Sequence, residues 1–242
     1  MSCKMLFARV AAVGTTAIAL CMPAYAADIA ARPYAPPPPP LPMLYDWTGF
    51  YLGAHFGGSF SSETMTVSAV AFDTNPSGVL GGFQVGYNYQ FAPNMLIGFE
   101  GEMAWTSASS SAGTALPFAA VTATSSHNWY DTAVGRFGVL QSGWLFYGKL
   151  GLAWMNADYT VAAVPGFSST LNTTRGGWTI GVGAEYRFTP AWSAKLEYDF
   201  LDFGTNNYGF SVGGPTAINT QVHEFKVGVN YHFMPGTLFG RF

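Results

Sequence analysis

The sequence predicts an all-β protein that folds as an eight-stranded antiparallel, up-and-down β-barrel and spans a membrane. Three observations support this fold class: an aromatic composition with few charges, period-2 alternation from Trp47 onward, and connections that alternate between long and short. Of the 242 residues, 49% are hydrophobic and 17% aromatic, but only 10% are charged. A soluble domain carries roughly 25% charged residues. The 29 glycines and 15 prolines disfavour a helical bundle, because both weaken helix interiors.

The charge balance excludes one class of partner. Ten Lys and Arg residues stand against thirteen Asp and Glu residues, which gives a formal net charge of -3. A nucleic-acid-binding domain needs a basic surface to pair with phosphates. We therefore expect no nucleic acid partner.

Residues 1–26 have the pattern of a secretory signal peptide. Lys4 and Arg9 supply the positive start, and the apolar stretch after them is shorter than the roughly 20 residues of a membrane-spanning helix. An uncleaved anchor is the alternative. The small-x-small cleavage site is formed by Ala24, Ala26 and Ala27.

Residues 27–46 predict a disordered, Pro-rich N-terminal arm. The run Pro36–Pro40 favours extended polyproline II and cannot build a packed core. We interpret this segment as a periplasmic spacer, with a partner-binding polyproline motif as the alternative. Both cysteines, Cys3 and Cys21, precede the arm and leave with the signal. The mature chain is therefore expected to have no disulfide and no thiolate metal site.

Eight segments with period-2 patterning follow, which is typical of strands with two unlike faces. They are Trp47–Phe60, Val79–Phe91, Met95–Trp105, Trp129–Leu140, Trp144–Met155, Gly177–Phe188, Ser193–Phe203 and Gln221–Phe233. The barrel domain is thus 47–233, and 234–242 form a C-terminal tail.

The connections take turns between two lengths. Tight turns lie at Ala92–Asn94, Gln141–Gly143 and Thr189–Ala191. Long polar or small-residue loops are expected at Ser61–Gly78, Thr106–Asn128, Asn156–Gly176 and Gly204–Thr220. Long loops at one end and short turns at the other are typical of bacterial outer-membrane barrels.

Charge parity assigns the two faces of each strand. One parity collects six acids and five bases, which we predict to form an ion-pair network in the lumen. These residues are Glu100, Glu102, Arg136, Lys149, Glu185, Arg187, Lys195, Glu197, Asp199, Glu224 and Lys226. The other parity collects aromatic and aliphatic side chains, among them Phe83, Leu150, Val182 and Val227.

Two orientations satisfy this parity. A soluble, lipocalin-like barrel would place the apolar face inside, but an eight-stranded interior is too narrow for so many rings. In the inverted orientation the rings face lipid, where a Lys or Arg would cost roughly 2–4 kcal/mol near the midplane. We favour the inverted orientation. Two acids break its rule, Asp131 and Asp202, and both fall next to predicted long loops, where water should be in reach.

Aromatic residues cluster at both strand ends, as in the belts of membrane proteins. Near the long loops are Trp105, Trp129, Trp154 and Trp178. Near the short turns are Tyr89, Phe91, Trp144, Phe146, Tyr186, Phe188, Tyr231 and Phe233.

Several runs give the chain a family resemblance. The run Asp46–Gly53 (DWTGFYLG) is similar to the first strand of small outer-membrane immunogenic proteins of alpha-class Gram-negative bacteria. Later strands resemble that family at Gly86–Gln90, Gly135–Gly138, Gly183–Tyr186 and Lys195–Tyr198. The resemblance implies an OmpA-like barrel in the bacterial outer membrane, with periplasmic termini, extracellular long loops and no peptidoglycan-binding domain.

The last strand carries a predicted assembly signal. Lys226, Gly228, Tyr231 and Phe233 have the polar-x-Gly-x-x-aromatic-x-aromatic order that the family's barrel-insertion machinery reads. Pro235 prevents simple strand continuation into the tail. The tail leaves Phe242 as the alternative terminal aromatic, but only the spacing of Phe233 fits.

Enzyme hypotheses fail on spacing, so we expect no catalysis, no cofactor and no metal. None of the four histidines stands at a metal-ligand spacing such as H-x-x-x-H. His127 beside Ser125 or Ser126, or His223 beside Glu224, could be arranged into a hydrolase site, but a Ser-rich loop supplies such pairs freely.

Three functions remain at this point. The first is a structural, surface-exposed envelope protein with a plugged lumen, and the second is a small porin-like channel for ions or small solutes. The third is loop-mediated ligand binding, which the family suggests as haem, with His127 as the only loop histidine for an axial bond. Expected partners are outer-membrane lipid, lipopolysaccharide and the barrel-assembly machinery. A closed barrel leaves no strand edge that demands a partner, so a monomer is expected.

Overall fold

A computed structural model describes residues 46–67, 70–116, 119–163, 166–211 and 214–233. Three predictions lie outside these residues: the signal peptide with its cleavage site, the Pro-rich arm before residue 46, and the tail at 234–242. Ten strands make up nearly all of the described chain. They are β1 (Gly49–Val67), β2 (Val70–Asp73), β3 (Ser77–Ala92), β4 (Met95–Thr106), β5 (Ser109–Leu116), β6 (Ala119–Gln141), β7 (Trp144–Ala163), β8 (Phe167–Arg187), β9 (Trp192–Phe210) and β10 (Gly214–His232).

Eight of these strands close into a ring, which confirms the predicted eight-stranded antiparallel barrel. The order is β1, β3, β4, β6, β7, β8, β9 and β10, and β10 pairs back onto β1. The short strands β2 and β5 pair outside this ring, β2 with β1 and β5 chiefly with β6. The described part of the chain contains no helix with the length and apolar character to cross a membrane.

The short connections lie together at one end of the barrel, the turn end. At the tightest of them Ser142 has a φ of 50° and Gly143 a φ of 85°. Positive φ at both central residues is the requirement of a type I′ turn, whose twist suits a two-residue hairpin. The first and last residues of the ring also meet at this end, where Tyr51 pairs with His232.

The opposite end, the extension end, differs from the prediction of long loops. The stretches expected as loops at Ser61–Gly78, Thr106–Asn128, Asn156–Gly176 and Gly204–Thr220 are mostly strand, because the ring strands pair far beyond the tryptophan positions. Ser62, Thr64 and other small polar residues face outward, and a buried apolar set faces inward. That set includes Met65, Val67, Phe72, Met155, Tyr159, Val161, Phe210 and Ile218. The inward-facing side is therefore polar only in part.

The face assignment of the charged section stands as predicted. Phe83, Leu150 and Val182 are 59–61% exposed on the outer face, whereas Arg136 is 3% and Glu197 1% exposed inside the ring. Inward glycines give the inner side chains their space. A Cβ on Gly183 would collide with the Tyr147 ring.

Candidate functional site

The lumen is the candidate functional site, and three lysines lie at its centre. Lys149 Nζ lies 2.9 Å from Asp199 Oδ2, 3.2 Å from Glu102 Oε1 and 3.4 Å from Glu197 Oε1. It also lies 3.9 Å from Glu100 Oε1. These contacts join β7 to β4 and β9 across the inside of the ring, with all of the side chains buried.

The other two lysines share the same carboxylates. Lys195 Nζ lies 2.8 Å from Glu197 Oε2 and 3.1 Å from Glu102 Oε1. Lys226 Nζ lies 2.6 Å from Asp199 Oδ2, and it also binds Glu102. Each lysine therefore serves several acids and each acid several lysines, so the charges form one network rather than separate pairs.

Three of the acids converge as metal ligands do. Carboxylate oxygens of Glu100, Glu102 and Glu197 lie within 4.8 Å of one another. The ammonium groups of Lys149 and Lys195 lie between 2.8 and 3.9 Å from these carboxylates. The cations of this cluster are thus side chains of the chain itself, and the geometry is that of ion pairs.

Arg136 forms the next layer toward the turn end. Its Nη1 lies 3.1 Å from Glu100 Oε2, and its Nη2 lies 3.1 Å from Glu185 Oε2. The guanidinium carbon lies 4.0 Å from the centroid of the Tyr147 ring, which is a cation–π contact. Tyr51 donates a 2.9 Å hydrogen bond to Glu100. Arg136 thereby connects the lysine network to Glu185.

Glu185 accepts hydrogen bonds from several other strands. Asn230 Nδ2 donates to Oε1 at 2.8 Å, and Ser193 donates to the same oxygen. His232 Nε2 lies 3.3 Å away. A buried carboxylate needs such donors, because an unpaired buried charge is very costly.

A tryptophan packs inside the turn end of the lumen. Trp47 is buried and packs in a cluster with Leu96, Leu145 and Tyr147. The guanidinium carbon of Arg187 lies 5.1 Å from the centroid of the Trp47 ring. We call this the tryptophan plug. Trp47 lies just before β1, so residues that precede the first strand contribute to this end of the lumen.

A second polar cluster, the Glu63 cluster, lies inside the extension end. Thr220 and Thr74 each donate a 2.8 Å hydrogen bond to Glu63, and Tyr159 donates at 3.3 Å. His127 Nε2 lies 3.3 Å from the carboxylate. Burial raises the pKa of Glu63, but hydrogen bonds and charge from His127 outweigh it, so the pKa lies below its ordinary value. This carboxylate of β1 therefore links four strands of the ring, β1, β6, β7 and β10, and the connection after β2.

In the Glu63 cluster a histidine also lies between a serine and an acid. Ser61 Oγ lies 3.5 Å from His127 Nδ1, and Glu63 lies at Nε2. All three side chains are buried, and Tyr130 occupies Nδ1 at 2.7 Å. Tyr130 is thus the nearer partner of His127 Nδ1, and Ser61 lies at the limit of hydrogen-bonding distance.

The other arrangements considered from sequence are separated by strand parity. Ser125 faces inward while Ser126 faces outward, and Glu224 is buried inside while His223 lies on the outer face. The expectation that His127 is a loop histidine open to haem is wrong. It lies in β6, and both of its ring nitrogens are within hydrogen-bonding distance of buried partners.

Ten of the eleven residues named from parity meet in the network. Arg187 lies instead at the tryptophan plug, where its Nη1 donates a 2.6 Å hydrogen bond to the carbonyl oxygen of Asp46. Sequence reasoning missed the neutral members Tyr51, Tyr147, His232 and Ser193. They share the inward parity, so parity without a charge filter would have found them.

The assembly-signal residues lie at the closing strand. Lys226 and Gly228 face inward, and Tyr231 packs edge-to-face against Phe233 with ring centroids 5.1 Å apart. These residues border the seam between β10 and β1.

Curated relatives are similar to this chain over most of its length. The 31 kDa outer-membrane immunogenic protein of Brucella melitensis is 29% identical over 229 residues, which covers 87% of this chain and 93% of the relative. The 22 kDa outer membrane protein of Rhizobium leguminosarum bv. viciae is 27% identical, covering 80% of this chain and 82% of the relative.

A solved structure supports the fold alone. The outer membrane protease OmpT of Escherichia coli superposes with a TM-score of 0.50 at 9% identity, covering 78% of this chain and 98% of that one. Residues 14–233 match the family described as outer membrane protein beta-barrel domain. With the closed ring, the outward aromatic face and this match together, the chain belongs to the outer membrane β-barrel domain family.

Proposed function

We propose that the protein is a structural, surface-exposed barrel whose lumen is plugged, and that it does not conduct ions or solutes. The turn end, with the N-terminus of β1 and the C-terminus of β10, faces the periplasm. The extension end projects from the cell. Its partners are lipids of the outer membrane, including lipopolysaccharide, and the assembly machinery that recognises β10.

The observation that carries this proposal is the set of contacts around Lys149. A single buried ammonium group contacts carboxylates of β4 and β9 at 2.9–3.9 Å. An eight-stranded ring encloses only enough space for side chains. Cross-lumen ion pairs at this depth leave no continuous path for a hydrated ion.

Two further barriers support it. The tryptophan plug closes the turn end, and the Glu63 cluster with its apolar neighbours fills the extension end. A solute would have to displace three separately packed layers. The family supports an envelope role in general, because the relatives are described as outer-membrane proteins.

Conductance in planar bilayers tests the proposal. We expect folded protein extracted from membranes of expressing cells to give no stable unit openings. Trp47→Ala is the test variant, because it removes the tryptophan plug and leaves the ion pairs. We expect this variant to give no openings either. A trimeric general porin inserted in the same bilayers shows that openings can be detected.

Protease protection of the bilayer-embedded barrel confirms that silent protein is inserted. Reproducible unit openings by the wild-type protein would establish the small-channel alternative instead. Openings by Trp47→Ala alone would show that the tryptophan plug, and not the charged network, blocks conduction.

A further inference from the structure

Asp131 is an acid on the outer face of the barrel with no clear structural purpose. It follows Trp129 by one outward position on β6, and it pairs with Met103 and Trp154 on the neighbouring strands. Its Oδ1 is buried and has no hydrogen-bond partner within the described residues. The other exceptional acid, Asp202, differs, since it accepts from Gly204 N at 2.8 Å and Gln221 Nε2 at 3.3 Å.

A groove on the outer face begins at Asp131. It has a volume of about 390 Å³, and its walls are Leu52, Phe83, Val85 and Met103. Gly101 forms its floor, because a Cβ there would meet only Thr132 O at 3.9 Å. The groove is thus a largely apolar slot that one outward carboxylate borders.

The depth of Asp131 narrows the choice of occupant. Two residues of a strand span about 6.7 Å, and a strand tilt of about 40° reduces this to about 5 Å of depth below Trp129. Interfacial tryptophans lie at the headgroup level. Asp131 therefore lies at the inner border of the headgroup layer, where acyl chains are linked to their headgroup.

We propose that this groove, here named the Asp131 groove, binds a lipid whose acyl chain fills the slot and whose amide or hydroxyl group donates a hydrogen bond to Asp131. The lipid class is one with amide-linked hydroxyacyl chains. The inference rests on the proposed orientation, which places this groove in the outer leaflet. It does not depend on whether the lumen is plugged.

A second groove shows what an acyl chain alone would need. It has about 400 Å³ and lies between Phe56, Val227 and Val229, with Ala54 on its floor. Its outward side chains are all apolar, so it accepts any chain. Asp131 is what makes the first groove selective, because a hydrogen bond to a charged group is stronger than one between neutral groups.

Native mass spectrometry of protein released from mixed micelles tests the proposal. The probes are monophosphoryl lipid A, which has amide-linked hydroxyacyl chains, phosphatidylethanolamine and phosphatidylcholine. We expect wild-type protein to retain one lipid A molecule at least about tenfold more than phosphatidylcholine, the ratio that about 1.4 kcal/mol gives. Asp131→Leu should reduce retention to the phosphatidylcholine level, and Asp131→Asn, whose carbonyl still accepts, should keep part of it.

Gly101→Leu fills the slot and should abolish selective retention. Gly148→Leu is the matched control, since Gly148 also faces outward with only Gly181 O at 3.9 Å from an added Cβ. It should retain lipid A like the wild type. Equal retention of all three lipids, or lipid A retention unchanged in Asp131→Leu, overturns the proposal. Preferential retention of phosphatidylethanolamine overturns it as well, because the donor would then be an ammonium group. Channel openings in the bilayer experiment would refute the plug and leave this result unaffected.

Discussion

Lys149 shows at the scale of one residue how the lumen keeps charge inside an apolar surrounding. Its ammonium group is fully enclosed, and it has acids on two facing strands as partners. Desolvating an ammonium group costs several kcal/mol, which only close partners offset. Acids outnumber bases in this network, so the loss of Lys149 leaves its carboxylates with fewer counterions.

We expect Lys149→Leu to destabilise the barrel by about 3–5 kcal/mol, the cost of breaking a buried ion pair. Urea unfolding of protein in detergent micelles measures this. Leu150→Ala on the outer face is the control, and it should change the unfolding free energy far less in micelles, because Leu150 contacts detergent. A Lys149→Leu variant as stable as wild type would show that its carboxylates find other partners.

Glycines on the two faces of the same sheet have different roles. Gly183 faces inward under the Tyr147 ring, whereas Gly148 faces outward into open space. No pattern in the sequence reveals which ring covers which glycine. That pairing depends on barrel register, which arises only when the ring closes.

Gly183→Ala should destabilise the barrel by about 1–3 kcal/mol, because the added methyl forces Tyr147 out of its packed position. Gly148→Ala should leave stability unchanged or slightly raised, since glycine in a strand interior weakens it. Heat-induced loss of the compact form on unboiled gels ranks the two variants against wild type. Equal effects would mean that the inner side chains shift without cost.

The ring strands, one scale up, are longer than the period-2 segments indicated. The alternation was correctly interpreted where aromatic residues mark the outer face. It was missed beyond Phe60 and Trp154, because there the outer face changes to Ser, Thr and Asn and the inner face becomes apolar. A strand whose outer face changes from aromatic to small polar residues has the composition of a loop from that point on. The strands pair nonetheless, because the backbone N–H and C=O groups of neighbouring strands form hydrogen bonds with each other.

The Glu63 cluster makes the stability of the extension end depend on pH. The pKa of Glu63 in the folded protein lies below the ordinary value of 4.5, so the carboxylate contributes stability above about pH 4.5. That contribution is lost as the pH falls from 4.5 through the lower folded value. We expect Glu63→Gln to cost about 1.5–3 kcal/mol at neutral pH, and its difference from wild type to shrink as the pH falls below 4.5.

Urea unfolding at several pH values checks this expectation. The control is Asp73→Asn, which changes an exposed acid of the same extension that hydrogen-bonds Thr64. Its difference from wild type should be small at every pH. A Glu63→Gln difference that stays constant with pH would assign the effect to packing instead of ionisation.

At the scale of the whole molecule, the sequence was sufficient for the ring and its inverted faces but not for the two ends. Charge parity placed Arg136 and Glu197 inside because lipid excludes them from the other face. The tryptophan plug could not be anticipated, since Trp47 precedes β1 and its direction depends on Arg187 and the strand ends around it. The Asp131 groove was equally hidden, because its walls come from four strands.

The seam between the first and last strands has a consequence for biogenesis. Lys226 belongs to β10, and one of its acidic partners, Glu102, belongs to β4 across the lumen. Until the final strand docks, the acids of the centre lack one of their three ammonium counterions. Closing the seam and completing the charge pairing of the interior are consequently a single event.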